Sequence, residues 1–240
     1  MHKQNNVEIR PGLEGYAALP KGTGSFPGVL VFMEAYGITG HIRGVCDRLA
    51  QASITALAPD FFHGELIAYA DSQAAMAKIP GLKDDVLLDE CAAGLDWFAA
   101  QKTVRRDALG VIGFCMGGRL AFLANCRLAA RLRAAVAFYG GGIAPEAPGP
   151  DRFGRTPPLA ETAAMQAPLF LGYGADDQGI TPAEHARVVS ALSAAKKRYA
   201  LNVYPGAGHA FLCEERANYA PVAAKIAWRD ALDFLSVHLA

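Results

Sequence analysis

The run Gly113-Phe114-Cys115-Met116-Gly117 places a thiol between two glycines, where an apolar strand pattern gives way to an amphipathic helix. A nucleophile held on such a turn projects from the sheet on strained backbone, and side chains at the flanking glycines would clash. The first amides of the helix lie beside the sulfur and favour a thiolate or a developing oxyanion. The Met116 amide is one candidate oxyanion donor, and Ala35, on the loop after an early strand pattern, is the other. Downstream, the run Gly174-Ala175-Asp176-Asp177-Gln178-Gly179-Ile180-Thr181-Pro182 supplies a carboxylate between a strand end and a helix start, as an acid that orients an imidazole requires. Asp176 and Asp177 both qualify; the G-x-x-D spacing ahead of the helix favours Asp177, the other residue being solvated or capping. His209 follows the next strand pattern on a glycine-rich loop. His2 is terminal, His41, His185 and His238 fall on or at helices, and His63 is a weaker rival because it too follows a strand. A thiol, a carboxylate and an imidazole in this order suit covalent acyl transfer with general base assistance.

These residues must be positioned by strands alternating with helices. Apolar, β-branched or aromatic runs predict strands near 15–19, 29–33, 54–58, 109–113, 134–139, 169–173 and 201–204, and the central ones read as buried on both faces. Helical spacing predicts helices over 41–52, 84–100, 116–129, 182–194 and 222–238, with a short helix near 71–78. In 84–100, Val86, Leu87, Ala93, Leu95, Trp97 and Phe98 form the expected inner face, and Asp84, Asp85, Asp89 and Glu90 the wet one. Thr181 and Pro182 read as N-cap and first helical residue. The Gly- and Pro-rich segment 140–166 reads as a long loop, of the kind that lines the ligand crevice at strand ends. The alternation predicts an α/β fold with a mostly parallel central sheet and helices on both faces. The order nucleophile, Asp, His is that of α/β-hydrolases.

The 240 residues carry 23 basic and 23 acidic side chains, so no net charge recruits nucleic acid or an anionic membrane. The length fits one domain over residues 1–240, with a small molecule as the expected partner and a monomer as the default state. Residues 1–20 hold no continuous apolar stretch of the secretory kind, and no run elsewhere is long enough to span a bilayer, so a cytoplasmic location is expected. Five cysteines without a C-x-x-C pair argue against a disulfide framework and a thiolate zinc site. The histidines lack metal-ligand spacing and the glycine runs lack the acidic residue of a dinucleotide site, so neither metal nor organic cofactor is expected.

Taken together, these motifs resemble the dienelactone hydrolase (carboxymethylenebutenolidase) family. The likeness runs from the strand at 27–33 through Gly113–Gly118, Phe138-Tyr139-Gly140 and 174–182 to Gly208-His209-Ala210-Phe211 and the last helix. It implies a Cys-His-Asp triad at Cys115, His209 and Asp177 that opens a lactone through an acyl-thioester. Glu34 alone reads equally as a satisfied strand-end carboxylate or a site group; the resemblance makes it the acceptor of the thiol proton when substrate binds. Burial would raise its pKa and suit that task. Tyr139 matches a site tyrosine of the family, though a strand-end packing role is open to it. The family's arginines for a substrate carboxylate have no direct match: Ala210 to Cys213 follow His209, and 63–83 contains no arginine. Tyr36, Tyr69, Arg152, Arg155 and Arg216 are the candidate replacements. A carboxylesterase or thioesterase of other specificity is the alternative on the same machinery. A non-catalytic thiol-redox or binding protein is the alternative of a different class; no second cysteine lies nearby in sequence to resolve an oxidised Cys115, and only Cys126 or Cys213 could approach it in space.

Overall fold

In a computed structural model, residues 4–240 are described, and they build one eight-stranded sheet. Its strands are β1 (Gln4–Arg10), β2 (Leu13–Ala18), β3 (Phe26–Phe32), β4 (Thr55–Pro59), β5 (Val104–Phe114), β6 (Ala134–Phe138), β7 (Leu169–Gly174) and β8 (Tyr199–Tyr204). The order across the sheet is β1-β2-β4-β3-β5-β6-β7-β8. The first two pairings are antiparallel and the rest parallel. This is the α/β-hydrolase architecture expected above. The parallel strands β4 and β6 are buried throughout, as fits strands covered on both faces.

The helices are α1 (Gly40–Gln51), α2 (Ser72–Lys78), α3 (Asp84–Ala100), α4 (Met116–Arg127), α5 (Pro182–Ala194) and α6 (Pro221–His238). Helix α1 packs on β2 and β4, α3 on β1, β3 and β5, α4 on β5 and β6, and α6 on β6 and β7. Thr181 caps α5 by accepting a hydrogen bond from the Glu184 amide, with Pro182 in the first turn. After β3 the chain turns to β4 on one side and then returns to place β5 on the other. The switch point therefore lies between the carboxyl ends of β3 and β5, where a ligand crevice opens in such sheets. Glu34 stands just past β3, and Cys115 directly follows β5.

Three expectations change. The alternation of Val7 and Ile9 with polar residues forms an edge strand, β1, which is not among the strands expected above. The loop after β6 contains a 3₁₀ helix at Pro158–Ala164. On α3 the buried face is Leu87, Leu88, Cys91, Gly94, Leu95 and Phe98; Val86 is 54% exposed, and Glu90, expected in water, is 3% exposed beneath His63. Gly94 sets this phase, because a side chain there would press into Leu30 of β3.

Candidate active site

The turn at Cys115 has the conformation its sequence implies. Cys115 adopts φ 55 and ψ −116, a region rare for residues with a Cβ. A side chain at Gly113 would run into the Gly117 carbonyl, and one at Gly117 into the carbonyls of Phe32 and Met33. These contacts bring α4 close enough to β3 and β5 to lift the sulfur above the sheet. Met116 is the first residue of α4, so its N–H has no acceptor within the helix. Ala35 is fully buried beside Glu34.

The loops after β7 and β8 bring the acid and the imidazole to this thiol. His209 Nδ1 donates to Asp177 Oδ2 at 2.7 Å, and His209 Nε2 lies 3.2 Å from Cys115 Sγ. The other Asp177 oxygen accepts from the amides of Gly179 (2.8 Å) and Ile180 (3.2 Å). Of the two candidate aspartates, Asp177 is the buried one and meets the imidazole; Asp176 is exposed. Burial resists ionisation of Asp177, but the His209 hydrogen bond and charge outweigh it and hold the carboxyl below the usual range. Burial likewise opposes a charged imidazole, yet the Cys115 sulfur and the Asp177 carboxylate win and push His209 up to about 10.

This raised value makes a stability prediction. A histidine whose folded pKa lies above its ordinary 6.5 contributes fully below that pH and loses the contribution as pH rises through about 10. Urea unfolding between these limits should show declining stability, and Asp177→Asn should flatten the decline by removing one cause of the shift.

Glu34 does not line the cleft. It is 1% exposed, both its oxygens lack hydrogen-bond partners, and Arg216 Nη1 approaches Oε1 only to 3.9 Å. Burial pushes its pKa up, against the opposing fields of His41, Arg216 and His209. Tyr139, expected to touch substrate, is fully buried; its ring packs on His209 and Phe211, with centroids at 5.3 and 5.6 Å. It backs the imidazole. Tyr36 and Arg216 do reach the cleft, and the Arg216 guanidinium lies 5.1 Å over the Tyr36 ring. Tyr69 does not line the cleft; it packs on Tyr36 and donates to Thr39 Oγ1 at 2.8 Å.

The cleft has a volume of about 890 Å³ and borders Cys115, Met116, His209 and Arg216. Its other wall is the loop after β6, including Arg152 and Arg155. That loop is held by Arg119, a residue the sequence reading did not single out. Arg119 is 1% exposed one turn into α4 and forms a bidentate pair with Asp84 at 2.8 and 2.9 Å. It also donates to the Thr156 carbonyl at 2.6 Å. Asp151 accepts from Arg155 Nε and Nη2 at 2.9 and 2.7 Å, so Arg155 is committed within the protein.

A mostly parallel sheet with a strained cysteine turn at its switch point, met by an imidazole and a carboxylate from later strand ends, defines a hydrolase of the α/β-hydrolase fold. The family model for the dienelactone hydrolase family matches residues 13–239, and the chain belongs to that family. Among its relatives is a Synechocystis protein assigned as a carboxymethylenebutenolidase, 30% identical over 233 residues that cover 95% of this chain and 92% of the relative. A Bradyrhizobium protein assigned as a 2-oxo-3-(5-oxofuran-2-ylidene)propanoate lactonase is 33% identical, covering 93% of this chain and 89% of its own. The crystal structure of a Klebsiella pneumoniae protein assigned as a dienelactone hydrolase superposes with a TM-score of 0.86, at 30% identity and 98% coverage of both chains. Among the described residues no helix is long and apolar enough to cross a membrane.

Proposed function

We propose that the protein opens an unsaturated lactone bearing a carboxylate, by nucleophilic attack of Cys115. The observation that carries this reading is the continuous hydrogen-bonded chain from Asp177 through His209 to the Cys115 sulfur at the mouth of the cleft. The names of both relatives above describe five-membered unsaturated lactones with a carboxylate arm. Arg216 is the group suited to such an arm: it faces the cleft, and its nearest carboxylate, Glu34, stays beyond hydrogen-bond distance.

In this mechanism the carboxylate of an entering substrate competes for Arg216. Glu34 thereby loses a cationic neighbour, and its affinity for a proton rises. It takes the thiol proton, and the Cys115 thiolate attacks the lactone carbonyl carbon while the amides of Met116 and Ala35 receive the oxyanion. Collapse of the tetrahedral intermediate breaks the ring C–O bond and leaves an acyl-thioester; the departing oxygen takes its proton from the His209 imidazolium. The imidazole, now neutral and oriented by Asp177, removes a proton from water as it attacks the thioester, and the sulfur leaves as thiolate to take back its proton from Glu34.

A substrate panel tests the reading. cis-Dienelactone should be hydrolysed with higher kcat/KM than p-nitrophenyl acetate, which carries no carboxylate; the reverse order would favour a general esterase. Arg216→Gln should reduce kcat/KM for the lactone by about 10–100-fold, the worth of a charged hydrogen bond, and change the neutral ester far less.

A further inference from the structure

A buried imidazole at the start of α1 is left unused by the mechanism above. His41, in the first turn of α1, is 2% exposed, and its Nδ1 sits 2.9 Å from Glu214 Oε2. Its Nε2 is buried without a hydrogen-bond partner, as are both oxygens of Glu34. The ring stands edge-on to Phe114, with centroids 5.5 Å apart, and Phe114 directly precedes Cys115. Glu214 is held from outside by Arg48, at 2.8 Å.

One short strip between β8 and α6 organises this region. Its Cys213 thiol donates to the Tyr69 hydroxyl, Glu214 holds His41, and Arg216 reaches toward Glu34. The strip lies so close to the start of α1 that a side chain at Gly40 would collide with the Glu215 carboxylate. His41 and Glu34 are thus fixed by residues of the same strip. Of the groups that offset burial at Glu34, His41 acts most strongly, ahead of Arg216 and His209. The remaining ionisable groups that feel Glu34 are Tyr36, Tyr69, Tyr139 and Cys213.

We propose that His41, tethered by Glu214, is a positioning residue that governs when Glu34 can take up a proton during the reaction at Cys115. The proposal rests on the cysteine-hydrolase reading and extends it outward from the cleft to Glu214, whose side chain is 43% exposed. The hydrogen bond to His41 holds Glu214 ionised, at about 2, and Arg48 adds to the effect. That carboxylate in turn keeps the imidazole oriented and polarised. The field of the imidazole opposes the rise that burial imposes on Glu34 and so limits how far Glu34 is protonated before substrate engages Arg216.

Removing the couple should have a signed consequence. Without His41, or without the anion that polarises it, Glu34 would hold a proton up to a higher pH and could accept none from the thiol. The test is an infrared pH titration of the carboxyl C=O band of Glu34, assigned by its disappearance in Glu34→Gln. It is run beside the pH profile of kcat/KM for cis-dienelactone and p-nitrophenyl acetate. In His41→Gln and in Glu214→Gln the band should persist to higher pH than in the parent protein. The acid limb of the profile should move the same way, with activity on that limb falling about tenfold and the alkaline plateau falling less. In a Glu34→Gln background, His41→Gln should cause no further change in the profile.

An unmoved band in both variants overturns the proposal. Should His41→Gln fail to fold, Glu214→Gln at the half-exposed position decides alone. A band that moves while the pH profile does not would sustain the coupling between His41 and Glu34 but refute Glu34 as the proton acceptor. The two readings therefore fail separately.

Discussion

Cys115→Ala is expected to lower lactone and ester hydrolysis by at least about 10⁴-fold, with the fold intact. In the proposed mechanism the sulfur forms the acyl bond, and what survives its removal is rate enhancement from binding and the oxyanion donors alone. The site tolerates the change structurally, because the φ of 55 at Cys115 is enforced by the close packing of Gly113 against Gly117, which alanine does not disturb. Cys115→Ser is a less severe change: a hydroxyl is a poorer nucleophile beside an imidazole tuned for a thiol, and a weak residual esterase should remain. Steady-state rates together with a thermal melt separate lost chemistry from lost fold.

Arg119→Ala is expected to cost about 3–5 kcal/mol of stability, a drop of roughly 10 °C in Tm for a chain of this size. The cost arises from what is left behind. Asp84 would lose its bidentate partner, the Thr156 carbonyl its donor, and the nearby Asp151 side chain, 3% exposed, one of two cations. The same change releases the loop after β6, which supplies Arg152 and Arg155 to the cleft wall, so activity should fall along with stability. Arg119→Lys should recover little of either, because an ammonium cannot reproduce the two parallel bonds to Asp84. Urea unfolding with kinetics on the same preparations measures both effects.

How much of this was legible in the sequence depended on how local each signal was. Strands β4, β6 and β7 and the C-terminal parts of β3 and β5 announce themselves because each is a short, buried apolar run, and site residues follow the ends of β3, β5 and β7. The Cys115 turn is legible for the same reason, since its glycines and its nucleophile are neighbours in the chain. Asp177 could be preferred over Asp176 from spacing, but only the meeting with His209 decided between them, and that contact joins different loops. Edge strand β1 was missed because it is paired on one side only, so it needs few apolar residues. Glu90 was misplaced because its cover, His63, is distant in sequence and a charged side chain reads as wet.

Arg119 carried a signal that could have been used. Every residue of α4 from Met116 to Cys126 is buried, and an arginine inside such a helix must be paired. His41 and Glu214 carried none, because the couple exists only once the strip after β8 lies across the start of α1. The proposed substrate anchor is of the same kind: Arg216 stands too far beyond His209 to match the family's spacing, yet the fold returns it to the cleft.

The central claim, covalent chemistry at Cys115, is tested most directly by rapid acid quench during turnover of cis-dienelactone, followed by peptide mass spectrometry. The account predicts an acyl adduct on the peptide that contains Cys115, absent from Cys115→Ala. Turnover with no adduct on that peptide, or undiminished turnover by Cys115→Ala, would contradict it.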